Sequence, residues 1–201
     1  MTARYRNLMF GDAVKQAQTR MGSREMYGRE AAEDAPDQLT ANEAAFIAAR
    51  DSFYLASSGA GGWPYLQHRG GPAGFVKILD AGTLGFADYR GNRQYISVGN
   101  MAEDDRVALF FMDYANRARL KLLGRMRAVD LDDTLAAQLT DPDYRARPER
   151  GLLITVEAYD WNCSQHITPR YPEDQVTAAL AKLQARIAEL EQQLAAQDAG
   201  A

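Results

Sequence analysis

The chain has 201 residues, 46% hydrophobic and 25% charged, with a net charge of −4. That length suits one globular domain with a sizeable core plus appendages, and the acidic balance argues against general nucleic-acid binding, which needs cations against phosphates. A lone cysteine, Cys163, excludes an internal disulfide framework; no apolar run approaches the ~20 residues of a membrane span; MTARYRNLMFGDAVKQ lacks the apolar core and cleavage site of a signal peptide; a cytoplasmic protein is expected.

Residues 1–40 are polar and interrupted by Gly22, Gly28 and Pro36, with helical character around Asp12–Arg20. They read as an N-terminal extension lying across the main domain or a partner subunit. Thr40-Ala41-Asn42-Glu43 has capping-box spacing, and an alanine-rich helix follows to about Arg50. Residues 53–57 and 63–68 form a hairpin around the glycine-rich turn 59–62, and residues 75–79 and 83–87 form a second. Residues 92–101 read as a short helix. Residues 107–113 and 120–129 are strands, the latter bent or bulged at Gly124. Residues 132–139 look helical, and residues 152–159 form an apolar strand. Many short strands with few helices imply a mainly β (α+β) fold, a closed or nearly closed β-barrel.

After Pro172 the pattern changes. Val176, Leu180, Leu183, Ile187, Leu190 and Leu194 are spaced 4, 3, 4, 3, 4, a heptad seam over about three heptads. Two readings stay open: an amphipathic helix packed on its own barrel, or a short coiled coil between subunits. The expected organisation is an extension over 1–40, a barrel domain over 41–171 and a C-terminal helix over 172–201.

Several cations gather near the central strands. Arg69 precedes Gly70-Gly71-Pro72, Lys77 sits inside Phe75-Val76-Lys77-Ile78-Leu79, and Arg93-Gln94 is placed at the opening of a helix. A helix start offers free N–H groups and a favourable dipole to an anion, so the set suggests a bound phosphate. Each cation taken singly is an ordinary surface residue. Arg117, Arg119 and Lys121 alternate along a strand as a polar face, without the interleaved aromatics that RNA stacking requires. Trp161, Gln165, His166 and Arg170 follow the last strand with the makings of an aromatic wall and hydrogen-bond donors. Cys163 and His166 lack an oxyanion loop and a third partner for thiol catalysis. Two histidines and one cysteine make a zinc site unexpected, and neither a GxxxxGK[ST] nor a strand-linked GxGxxG motif occurs. No metal site is expected.

The segments VKQAQTRMGSREMY, WPYLQHRGG, FVKIL, FADYRGNRQYIS, RVALFF, RLKLLGRMRAV and DWNCSQHITPR together resemble the pyridoxamine 5′-phosphate oxidase-related, FMN-binding split barrels, over residues 10–171. The resemblance implies a six-stranded antiparallel split β-barrel with flanking helices, forming a homodimer with FMN at the subunit interface. It implies phosphate anchoring by Arg69, Lys77, Arg93 and Gln94, the glutamine standing where family members carry lysine. The insertion over residues 70–74 shifts the register of Arg69 and brings Gln67 and His68 forward as flavin-ring or phosphate contacts. Arg119 corresponds to a position reaching the flavin from the other subunit, and Trp161 and Arg170 resemble a late pair closing over the cofactor. The oxidases' own substrate signature is not reproduced. The implied function is an FMN-dependent oxidoreductase acting on a small molecule by hydride transfer through flavin N5. The alternative is a non-catalytic flavin carrier or redox sensor whose C-terminal helix binds a partner. Related barrels also hold haem or a deazaflavin, and His68 and His166 are the residues on which haem would depend.

Overall fold

Strand alternation builds the core, and helix caps fix what surrounds it. The computed structural model describes residues 1–28 and 35–198. Helix α1 (Ala3–Met9) starts at Thr2, whose hydroxyl accepts the Tyr5 N–H, and α2 spans the expected Asp12–Arg20. After the single turn α3 (Arg24–Tyr27), α4 (Ala41–Ala48) opens with the expected capping box between Thr40 and Glu43.

Seven strands follow: β1 (Ser52–Ser58), β2 (Pro64–Gly70), β3 (Lys77–Asp80), β4 (Thr83–Tyr89), then, after α5 (Ile96–Glu103), β5 (Arg106–Asp113) and β6 (Ala118–Val129), and after α6 (Asp133–Leu139), β7 (Pro148–Trp161). All pairings are antiparallel, in the order β2-β1-β5-β6-β7-β4-β3. Seven is the number read from the residues and one more than the resemblance implied. The sheet does not close by backbone pairing: β2 and β3 are its edges. Side chains bridge the split instead. Phe53 of β1 lies 5.3 Å, ring to ring, from Phe86 of β4, four places away in the sheet. Phe53 also packs on Phe75 and Phe111, and all four rings are buried. Cutting Phe53 to alanine at this centre would cost roughly 3–5 kcal/mol.

Gly124 forms the expected irregularity, where the β6–β7 register shifts between Leu123 and Gly124. A Cβ there would stand 2.6 Å from Ile154 Cγ2 and 2.7 Å from the Thr155 carbonyl. Two expectations are corrected. Phe75 and Val76 are buried but precede β3, which is therefore short. Helix α5 starts at Ile96, not near Asn92. The Asn92 side chain accepts the Gln94 N–H, and Arg93 and Tyr95 take left-handed backbone angles (φ 62° and 53°), so the chain turns before the helix can begin.

The early segments are tied to β7. Thr2 donates to the Tyr159 carbonyl, Arg4 pairs with Glu157 at 2.9 Å, and Asp37 accepts the Tyr159 N–H. The chain divides into two compact units: Met1–Asp113 with Ala118–Ser164, which holds the barrel, and Tyr114–Arg117 with residues from Gln165 onward. The second unit contains α7 (Glu173–Asp198), 26 residues and about 39 Å long. Its six seam residues are all exposed among the described residues, from 41% at Leu190 to 61% at Leu183. Among the described residues, no helix is long and apolar enough to cross a membrane.

Candidate functional site

β2 places its residues alternately. Tyr65, Gln67 and Arg69 are half-buried on the inner face, while Leu66 and His68 are exposed on the outer one. Across the split, β4 sends Leu84, Phe86 and Asp88 inward at every second position. Arg69 Nη1 meets Asp88 Oδ1 at 2.7 Å, joining two strands five places apart in the sheet. Asp88 is only 6% exposed, and a buried carboxylate is tenable only when paired. Arg150 Nε stands 3.4 Å from its second oxygen.

Above this pair lies a cleft of about 130 Å³, with Gln67, Arg69, Asp88, Arg93, Gln94 and Glu149 among its walls. The start of α5 closes one side through Ile96, Ser97 and Val98. Tyr95 at the N-cap gives no side-chain cap, and the first turn has no acidic residue, so the helix presents its first N–H groups to the cleft. The Ser97 hydroxyl donates to Gln67 Oε1 at 3.0 Å, fastening the helix to β2. Hydrogen bonding to the Tyr95 hydroxyl holds the Arg93 guanidinium above its ordinary pKa, and that hydroxyl donates to Glu149 Oε1 at 3.3 Å. Arg90 and Arg150 also reach Glu149. Four guanidiniums, of Arg69, Arg90, Arg93 and Arg150, thus surround two carboxylates. Arg69 Nε is buried without a hydrogen-bond partner. The arrangement suits an anion with several acceptor oxygens.

Of the nine residues selected from the sequence, the cleft gathers Gln67, Arg69, Arg93 and Gln94. The other five lie elsewhere within one chain. His68 is on the outer face, its ring edge-to-face with Tyr54 at 5.8 Å. Lys77 pairs with Gly85, so it shares the outer face with Leu79 and the α6 side of the sheet, not the inner face of Arg69. Arg119 pairs with Met112 on the outer face, its Nε buried without a partner. Trp161 ends β7, packs edge-on against Phe46 at 4.8 Å and donates its indole N–H to Glu43 at 2.6 Å. It occupies the same ladder row as Arg69, four strand spacings away, about 19 Å along the curved sheet. Arg170 lies in the second unit, with its guanidinium 4.9 Å over the Tyr114 ring. The sequence reading missed Asp88, Tyr95, Glu149 and Arg150. Asp88 had a signal: an acid in phase with Leu84 and Phe86 at i+2 and i+4 points into the core and demands a cation.

A family model described as pyridoxamine 5′-phosphate oxidase matches residues 39–158. No curated protein matches the chain. Similar solved structures include HupZ of Group A Streptococcus, at 13% identity over 66% of this chain and 99% of that one, TM-score 0.48. An FMN-binding protein of Syntrophomonas wolfei shows 10% identity over 76% and 96%, TM-score 0.46. HutZ, the haem storage protein of Vibrio cholerae, shows 12% over 61% and 94%, TM-score 0.42. The family match covers more than half of the sequence and takes in all the strands from β1 to β6 and most of β7: the chain belongs to the pyridoxamine 5′-phosphate oxidase family.

Proposed function

We propose that this protein binds FMN with the phosphate in the Arg69 cleft, between two copies of the chain, and serves as a flavin-dependent oxidoreductase for a small molecule. The observation carrying the proposal is the buried, unpartnered Arg69 Nε beside an uncapped helix start. A phosphomonoester would satisfy both. Arg69 and Arg93 offset its charge, the N–H groups of residues 96–98 donate to its oxygens, and Gln94 adds an amide donor. When bound, FMN supplies a hydride-accepting N5 atom.

The cleft's volume argues for a second wall. About 130 Å³ is well below the ~300–1,000 Å³ of a typical cofactor site, so one chain accommodates the phosphate end only. The outer sheet face offers that wall in a second copy. It carries Arg119 and half-buried Phe110 and Met112, and it borders a groove of about 440 Å³ lined partly by Leu8, Met9, Ala56, Pro64 and Leu123. The exposed α7 seam gives the homodimer a further contact.

A carrier or redox sensor without turnover is the second reading. Both carboxylates of the cleft are in ion pairs and no histidine lines it, so the usual proton-moving groups are engaged or missing there. Calorimetric titration with FMN tests the common core of both readings. Arg69→Ala should weaken FMN at least about tenfold, the loss of one charge-assisted contact; unchanged affinity would contradict the site. Chemical reduction of the bound flavin followed by a screen of acceptors separates the readings, since rapid reoxidation by a specific acceptor is expected only of the enzyme.

A further inference from the structure

Next to the cleft, divided from it by Glu149, is a second concavity of about 430 Å³ lined by Arg90, Arg147, Pro148, Glu149 and Arg150. Its backbone is fixed: the Arg90 N–H donates to the Arg147 carbonyl at 2.9 Å, holding the end of β4 to the start of β7. Two of its guanidiniums are already oriented. Arg90 Nε is 3.6 Å and Arg150 Nη2 3.3 Å from the two oxygens of Glu149, and the Arg150 guanidinium lies 5.1 Å over the Tyr95 ring. Arg150 Nε is buried, 3.4 Å from Asp88 Oδ2 in an ion pair that makes no hydrogen bond. Arg147 is exposed and has no ion pair among the described residues. Across the two concavities Arg69, Arg90, Arg93, Arg147 and Arg150 outnumber Asp88 and Glu149 by three positive charges, with Arg150 shared between both carboxylates, in a chain whose net charge is −4. The guanidiniums held on carboxylates lose little ordering entropy when an anion arrives, and the surplus positive charge favours the ~1.5–2 negative charges of a phosphomonoester.

We propose that Arg90, Arg147 and Arg150 form a second phosphate subsite, adjoining the first and sharing Glu149 with it. The inference builds on reading the Arg69 cleft as the FMN phosphate site. Its ligand chemistry is a second phosphoryl group, carried either by the same molecule, as in a dinucleotide, or by a separate phosphorylated substrate. In both cases Arg147 selects for the phosphorylated ligand without touching the FMN phosphate.

Inorganic phosphate, titrated calorimetrically into the full chain at low ionic strength with chloride as the control anion, reads both subsites independently of flavin. Two phosphates per chain are expected. Arg147→Ala should weaken one of them at least tenfold and Arg147→Glu should abolish it, while Arg69→Ala should remove the other. One phosphate per chain, or a second phosphate indifferent to Arg147→Glu, would overturn the subsite whether or not FMN binds. Two phosphates in a protein that refuses FMN would uphold the subsite and overturn the flavin reading instead. FAD and FMN titrations identify the source. FAD binding tighter than FMN in the wild type, with the difference lost in Arg147→Ala, assigns the second phosphate to a dinucleotide. Equal FAD and FMN affinities, with phosphate still binding beside saturating FMN, assign it to a separate substrate.

Discussion

Glu43 is a carboxylate buried to 4% exposure, and three donors decide its charge. Burial raises its pKa, but hydrogen bonds from the Thr40 hydroxyl, the Trp161 indole and the Thr40 N–H together outweigh it, leaving the pKa lowered. A lowered folded-state pKa contributes stability that is present above the ordinary carboxylate value and lost as the pH falls through the folded one. Glu43→Gln should therefore show a lower melting temperature at neutral pH and a shallower acid limb than the wild type. Thermal melts from pH 7 down to about pH 3 check this; parallel acid limbs would contradict it. Arg69 belongs to the same scale. Arg69→Lys keeps the charge but loses the planar fork that spans Asp88 and a phosphate, so its FMN affinity should fall between wild type and Arg69→Ala. Arg69 was legible as a cation beside a strand and Gln67 through the insertion at residues 70–74, and both line the cleft. The face of Lys77 was not legible. Residues 71–76 lie outside the strands, so the alternation of β2 says nothing about which face β3 turns to it, and a shift of one residue exchanges the faces.

At the scale of elements, Gly124 and α7 carry the sharpest consequences. Gly124→Ala pushes a methyl group against Ile154 Cγ2 and the Thr155 carbonyl, the latter unable to rotate away. A loss of about 1–3 kcal/mol is expected, read from denaturant midpoints; an unchanged midpoint would mean that the bulge is not packed as described. In α7 the seam puts Leu180, Ile187 and Leu194 at a positions and Val176, Leu183 and Leu190 at d, with Arg186 at g and Glu191 at e. A parallel pair of helices sets Arg186 against Glu191 of the partner on both sides. Full antiparallel overlap sets Arg186 against its own copy. The parallel arrangement is therefore expected, and Leu190→Cys in a Cys163→Ser background should form an interchain disulfide on mild oxidation. Antiparallel pairing would hold those two positions about 15 Å apart along the helices and give no such bond. The existence of α7 was plain in its spacing. The start of α5 was hidden, because left-handed Arg93 and Tyr95 depart from the residue types that normally announce such turns.

For the molecule as a whole, strands and hairpins were readable because apolar alternation and glycine-rich turns act locally. A nearly closed barrel was readable from the same pattern, but the contacts that bridge its split, Phe53 with Phe86 and Arg69 with Asp88, were not, since they join distant parts of the chain. The candidate site inherits that limit: its four gathered residues come from segments that the sequence presents separately. The same geometry divides the predicted set, leaving Arg119 and Trp161 outside the cleft of their own chain, where a second copy would have to bring such residues to a shared cofactor. The visible absorption spectrum of the purified protein, with chromatography of any released cofactor, tests the central claim most directly. Flavin bands with FMN released at about one per chain are predicted. A colourless protein that also takes up no added FMN would contradict it.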